Sequence, residues 1–325
     1  MNDERVGARL QSGSVYMTRA LELAERGRGK VEDHPLVGAV VVDGAEVVGE
    51  GWYEYDAVDH AETVALAQAG ERARGATLYV TLEPCAHHGR TPPCADAVIA
   101  AGVARVVVGA LDPNPKAAGG LERLRAAGVE VELLDSVSAR RQNEAWRTWK
   151  ALGRPFVTLK LAVTLDGRVT VPGRRWVTGE ESRRLVHELR AASDAVAVGM
   201  GTVRADAPRL DARDVGATTQ PRRLAFGRSP LPEESELELR TGPLEAELRA
   251  LAAEGVQSLL LEGGPTLATA FLNAALVDKL LLFVAPILGG DGPRAFGEIV
   301  PIELSDLRAT KVGQDVLLES YIHEP

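Results

Sequence analysis

The chain has 325 residues, enough for two domains, and the composition of a soluble globular protein. A net charge of −9 argues against a general nucleic-acid binder, because phosphate backbones need a basic stripe. No run approaches membrane-spanning length, the start MNDERVGARLQSGSVYM lacks an apolar signal core, and two cysteines suit a reducing compartment, so a cytoplasmic protein without membrane partners is expected.

Residues 1–15 read as a polar, unpatterned, disordered extension. Tyr16 to Arg26 spaces its apolar residues as a helix. Val37 to Val42 and Val47 to Trp52 then read as a hairpin turning at Asp43-Gly44. A helix follows from His60 to Ala73, and the strand ATLYVTL delivers Glu83-Pro84-Cys85 at its end. Pro93 suits the first turn of the helix CADAVIAAG. Strand 104–110, the loop DPNPKAAGG, helix 121–127 and strand 129–133 complete a three-layer α/β domain with a mostly parallel sheet. Its ligands belong at the carboxyl ends of the strands. A polar helix over Ser136 to Leu152 leads to Gly153-Arg-Pro155, which divides the chain into domains 16–152 and 153–325.

The first domain carries a set of residues suited to zinc catalysis. His60 and Glu62 open a helix-like run, and Cys85 and Cys94, the chain's only two cysteines, each follow a proline. One imidazole and two thiolates leave a fourth tetrahedral position for water, whose pKa zinc brings near neutrality. Glu62, two residues after His60, is placed to shuttle protons without binding the metal. His-x-Glu followed by Pro-Cys is the zinc-deaminase signature, but here eight residues, not two, separate the cysteines. A purely structural site would need a fourth protein ligand, for which His87 or His88 is the nearby candidate.

The second half reads as another α/β domain, not a repeat of the first. Strands are expected at 156–162, 195–198, 224–226, 258–262, 279–285 and 316–321, and helices at 180–192, 243–254 and 264–274. The turn Glu262-Gly-Gly-Pro-Thr266 between a strand and a helix has the form of an anion site, though such turns are often only tight turns. Gly199 to Arg213 places Asp206, Arg209 and Arg213 in one loop, read either as a site or as a solvated charged loop. Lys160 interrupts an apolar strand and needs a ligand or a partner, Asp206 or Glu262.

From about Tyr16 onward the chain resembles the bacterial bifunctional riboflavin-biosynthesis enzymes, a pyrimidine deaminase joined to a 5-amino-6-(5-phosphoribosylamino)uracil reductase. The long cysteine spacing in LEPCAHHGRTPPC, with DPNP at 112–115, carries the first half of the resemblance. LKLAVTLDGR, the GMGTV run and EGGPT carry the second. The resemblance implies a cytidine-deaminase-like α/β/α domain followed by a dihydrofolate-reductase-like one. It implies zinc on His60, Cys85 and Cys94, Glu62 as proton shuttle, and His87, Arg90, Asp112 and Asn114 lining the deaminase pocket. Lys160, Ala162, Trp176, Thr202, Asp206, Gly264, Pro265 and Thr266 would meet NADPH. Arg190, Leu210, Arg213 and Glu262 would hold a small phosphorylated substrate, the arginines reading its phosphate. A homo-oligomer formed through the reductase domain is also implied.

The chain departs from that pattern in three places. Asp33-His34-Pro35 stands where the family has Pro-Asn-Pro, and Tyr53 where it has His. The stretch from Arg223 to Glu262 is shorter, with Gly227-Arg228 in place of Asp-Ser, which leaves part of the cofactor wall in question and offers Arg228 to the cofactor's 2′-phosphate. Two alternatives therefore stand beside a working pair of sites. One is a deaminase whose second domain no longer reduces, distinguished by absent NADPH binding; the other is a nucleic-acid editing deaminase, which would need a basic surface.

Overall fold

A computed structural model describes residues 15–324, which divide into two compact units at 151/152. The extension expected over 1–15 lies, apart from residue 15, outside the described residues.

The first unit opens with α1 (residues 15–25) and a hairpin of β1 (Gly38–Asp43) and β2 (Glu46–Trp52). After it come α2 (Ala61–Ala69), β3 (Thr77–Val80), α3 (Cys94–Ala100), β4 (Arg105–Val108), α4 (Gly120–Ala126) and β5 (Glu130–Leu133). The sheet order is β2-β1-β3-β4-β5. The pairs β3–β4 and β4–β5 are parallel, and β1 lies antiparallel to both β2 and β3, so β1 alone runs against the other four strands of a mixed sheet. Alternation sorts β1 between two cores. Ala39 and Val41 face α2, α3 and α4, while Val40 and Val42 face Met17, Ala20 and Leu23 of α1. Helices thus cover both faces, giving three layers.

The single helix expected over 136–152 is two, α5 (Val137–Gln142) and α6 (Glu144–Leu152). They part at Asn143, whose backbone leaves the helical region at φ −114°, ψ 25° and whose side chain is committed to the backbone of Leu36.

The second unit is an eight-stranded sheet ordered β12-β13-β11-β6-β10-β7-β8-β9. Its strands are β6 (Phe156–Thr164), β7 (Ala195–Gly199), β8 (Arg222–Phe226), β9 (Glu238–Arg240), β10 (Ser258–Leu261), β11 (Lys279–Ala285), β12 (Ser305–Val312) and β13 (Asp315–Tyr321). Strands β6 to β11 pair in parallel, and the β12–β13 hairpin adds an antiparallel edge. Helices α7 (Glu180–Ala191), α8 (Met200–Asp206), α9 (Leu244–Ala253) and α10 (Pro265–Asn273) connect the parallel strands. The run after Gly199, expected as one loop through Arg213, begins with α8, and the strand β12 has no counterpart in the sequence reading. The short stretch from Arg223 to Glu262 still holds β9 and α9, so the sheet continues outward to β9.

Candidate active sites

In the first unit, two helix starts and one strand end converge. His60 is the N-cap of α2, Cys94 is the first residue of α3, and Cys85 lies just beyond β3. Pro93 is the extended N-cap, one residue earlier than expected. The three donor atoms lie within 4.8 Å of one another. His60 Nδ1 is 3.1 Å from Cys94 Sγ and 3.7 Å from Cys85 Sγ. Tetrahedral zinc with its usual bond lengths sets such nitrogen–sulfur separations at about 3.6 Å, so the set fits the ion. Neither His87 nor His88 belongs to the cluster, so among the described residues it has no fourth protein ligand of the kind that closes a structural site.

Electrostatics follows from the packing. Cys94 is fully buried and its N–H donates to Cys85 Sγ at 3.3 Å. The hydrogen bond from Cys94 holds the Cys85 thiol down to about 4, while the same contact and burial push Cys94 up. Glu62, in the first turn of α2, is 3% exposed, and burial pushes its carboxyl up to about 7 against the pull of His60. A carboxyl near neutrality can both take and give a proton.

These groups open into a cavity of about 200 Å³. His87, Arg90, Asp112 and Asn114 all line it, as do His34 and Tyr53 at the two departures from the family pattern. His87 and Arg90 are exposed, and Arg90 lies over the Tyr55 ring at 4.5 Å. His34 packs against Tyr53 and Tyr55, with ring centroids 5.5 and 5.4 Å away, and Tyr53 meets His60 edge-on. Burial raises the Asp112 carboxyl to about 6, with Glu83 adding to the rise. Among the lining residues to which the sequence assigned no role are Glu83, Trp146 and Lys150. The last two are four apart on α6, a spacing that puts them on one face, but only the break at Asn143 shows which face turns inward.

In the second unit a cleft of about 660 Å³ lies where β7 and β10 end and α8 and α10 begin. Lys160, Ala162, Thr202, Asp206, Glu262, Gly264, Pro265 and Thr266 line it, together with Met200, Thr170, Phe226 and Pro293. Gly264 caps α10, and a Cβ there would stand 3.3 Å from Thr202 Oγ1, so the two helix starts crowd together. At Gly227, one of the departures, a Cβ would stand 2.3 Å from Met200 Cγ; glycine is what lets Met200 pack there.

Lys160 has Glu262, not Asp206, as its partner: Nζ lies 3.5 Å from Glu262 Oε2. Arg190 grips the same carboxylate with Nε at 2.5 Å and Nη2 at 3.0 Å. Burial would raise the Glu262 carboxyl, but the two cations outweigh it and hold it below its ordinary value.

Four expected residues stay outside the cleft lining. Arg190 reaches it only through Glu262. Trp176 is 52% exposed, flanked by the guanidinium groups of Arg175 and Arg183. Leu210 is buried with φ 54°, and Arg213 bonds to Asp211 in a second cavity lined also by Arg209, Arg222 and Arg223.

Comparison with known proteins bears on both units. The family described as RibD C-terminal domain matches residues 155–318, and the cytidine and deoxycytidylate deaminase zinc-binding region matches residues 11–110. The chain is 42% identical over 312 residues to the riboflavin biosynthesis protein RibD of Aquifex aeolicus, covering 85% of this chain and 88% of that one. It is 39% identical over 360 residues to RibD of Escherichia coli, covering 93% and 97%. Among solved structures, Acinetobacter baumannii RibD superposes with a TM-score of 0.83 at 36% identity, covering 96% of this chain and 99% of that one. A diaminohydroxyphosphoribosylaminopyrimidine deaminase/5-amino-6-(5-phosphoribosylamino)uracil reductase from Thermotoga maritima gives 0.82 at 33% identity, with the same coverage.

Proposed function

The chain belongs to the RibD family of riboflavin biosynthesis proteins, a deaminase joined to a reductase, and on that premise we propose how its two sites divide the work. The first is a zinc hydrolase that deaminates the cyclic amidine of 2,5-diamino-6-ribosylamino-4(3H)-pyrimidinone 5′-phosphate. The second uses NADPH to reduce the ribosyl group of the product to a ribityl chain.

The observation that carries the deaminase reading is the cluster of His60, Cys85 and Cys94 beside the buried Glu62. These three would hold zinc, which when bound supplies a Lewis acid able to bring water to nucleophilic form near neutral pH. Glu62 is not among the ligands, and its carboxyl takes a proton from water and gives one to the departing amine. Asp112 and Asn114 face the pyrimidine, while exposed Arg90 and His87 meet the phosphate.

In the second unit the cofactor supplies the hydride, and the protein's task is orientation and charge. The starts of α8 and α10 offer amides to its phosphates, with Thr202, Asp206, Gly264, Pro265 and Thr266 along its length. Lys160 and Ala162 of β6 border the nicotinamide, and Trp176 closes over it from outside the present lining. Glu262, aligned by Arg190, addresses the sugar hydroxyls, while Leu210 and Arg213 receive the far end of the substrate. A buried Lys160–Glu262–Arg190 group is costly to maintain without a task, which supports a second unit that still engages a ligand at this cleft.

The chain would act in the cytoplasm on a small molecule, as a homo-oligomer through the reductase half. The exposed Leu307 on the edge strand β12, with exposed Leu304 just before it, supports that assembly. A two-step assay tests the whole reading: ammonia release without cofactor, then NADPH oxidation. Ammonia without NADPH oxidation leaves the second half a non-reducing domain, and no ammonia from zinc-loaded protein removes the assigned substrate.

A further inference from the structure

The deaminase cavity holds a second buried carboxylate that the reaction as drawn leaves unused. Glu83 is 6% exposed and lines the cavity. Among the described residues no lysine or arginine pairs with it. Its charge is met instead by backbone amides: Oε1 accepts from Gly119 N–H at 3.0 Å and Leu121 N–H at 3.2 Å, and Oε2 from Asp112 N–H at 3.3 Å. Gly119 and Leu121 bracket the start of α4, where amides have no partner within the helix. Donors approach both oxygens, so only a carboxylate satisfies all three; a carboxamide has one accepting end and one donating end.

The bonds lace two segments together. Glu83 N–H donates to Ala110 O at 2.9 Å, and Ala86 N–H donates to Ala117 O at 3.1 Å. A Cβ on Gly120 would stand 1.7 Å from Pro84 O, so the two backbones touch. Beyond the Asp112 amide the chain turns through a series of short bonds. Asp112 Oδ1 accepts from Asn114 N–H at 2.7 Å, and Asn114 Oδ1 accepts from Lys116 N–H at 3.2 Å. The wall that presents Asp112 and Asn114 to the cavity therefore hangs from the Glu83 carboxylate, two residues before Cys85.

We propose that Glu83 is a positioning residue for deamination, fixing the 112–121 segment so that Asp112 and Asn114 meet the substrate. This rests on the reading of the cavity as the deaminase site. Glu83→Gln is the discriminating variant, because its amide oxygen can still serve Gly119 and Leu121 while its NH₂ group confronts the Asp112 N–H.

The experiment measures deamination kinetics, zinc content, reductase rate and backbone amide exchange on the full chain. The expected result is a KM for deamination raised roughly tenfold with kcat within about threefold, the pattern of lost binding and not of lost chemistry. Zinc and the reductase rate stay at wild-type levels, and exchange quickens over 112–117 but not in α3. Glu83→Ala, lacking all three acceptors, enlarges the KM effect. Unchanged KM or unchanged exchange in Glu83→Gln overturns the proposal, as does a fall in kcat at constant KM. A wild-type chain that releases no ammonia overturns the underlying reading instead.

Discussion

Asn143 and Leu36, 107 residues apart, exchange a reciprocal pair of hydrogen bonds: Leu36 N–H donates to Asn143 Oδ1 at 2.8 Å, and Asn143 Nδ2 donates to Leu36 O at 2.9 Å. Asn143 is 5% exposed, so neither bond is shared with solvent to any extent. The pair pins the chain immediately after Asp33-His34-Pro35, which lines the deaminase cavity, to the break between α5 and α6. Asn143→Leu leaves the two Leu36 backbone groups buried without partners, each costing about 1–3 kcal/mol. The expected outcome is a lower unfolding midpoint for the first unit and a raised deamination KM, with the reductase rate unchanged. Denaturant unfolding and the two assays check it, and an unaltered midpoint refutes the anchoring role.

Removing a proposed zinc ligand and removing the proposed proton shuttle should have separable effects. His60→Ala takes away one of three donors, so zinc content and ammonia release fall together. Glu62→Gln leaves all three donors in place, so zinc is retained while deamination falls roughly 10²- to 10⁴-fold. Metal analysis beside the ammonia assay distinguishes the two. Zinc lost from Glu62→Gln would make Glu62 a ligand and void its assignment as shuttle.

The Arg190–Glu262–Lys160 group makes a sharper demand on the second unit. Arg190→Ala leaves a 9%-exposed carboxylate facing only Lys160 at 3.5 Å. Stranding a buried charge costs about 3–5 kcal/mol, with the remaining Lys160 contact drawing the effect toward the lower end. The expected result is a lower midpoint for the reductase half and loss of NADPH oxidation, while ammonia release persists. Reductase activity at the wild-type level would show that Glu262 does not need its alignment.

Much of this was legible in the sequence where the signal is local. His60, Cys85 and Cys94, each a few residues from a helix start or a strand end, come together as the sequence pattern expects, and seven of the eight residues expected to meet the cofactor, all but Trp176, line the second unit's cleft. What failed depends on distant contacts. Nothing near Asn143 shows that its side chain will leave the helix for Leu36. β12 is exposed almost throughout and carries no alternation, so only its pairing with β13 makes it a strand. Helix α8 hides behind Gly-Met-Gly, whose glycines read as a loop although Met200 and Val203 are buried beneath it. Glu83 looked like the neighbour of a cysteine, and its partners lie 29 to 38 residues onward.

A final prediction concerns pH and the second unit's C-terminus. Asp278 is 2% exposed and takes both Arg154 Nη1 and Nη2 at 2.7 Å, along with Val157 N–H at 2.8 Å. Burial pushes its carboxyl up, but Arg154 and His323 outweigh burial and leave it below its ordinary value. Its contribution is therefore present above the usual carboxylate range, about 3.9, and is lost as pH falls through the depressed folded value. His323 behaves oppositely. The neighbouring Asp278 carboxylate raises it above the ordinary imidazole value, so its contribution is complete below about pH 6.5 and is lost as pH rises through the raised value. The ring is half-exposed and 3.7 Å from Asp278, so the alkaline loss is the smaller. Calorimetry across pH should show the second unit's Tm falling steeply in acid and gently above neutrality. His323→Gln should flatten only the gentle limb, and Asp278→Asn, which strands Arg154, should lower Tm at every pH and remove the dependence on His323. A His323→Gln chain that keeps the wild-type slope between pH 6 and 8 would place that dependence elsewhere.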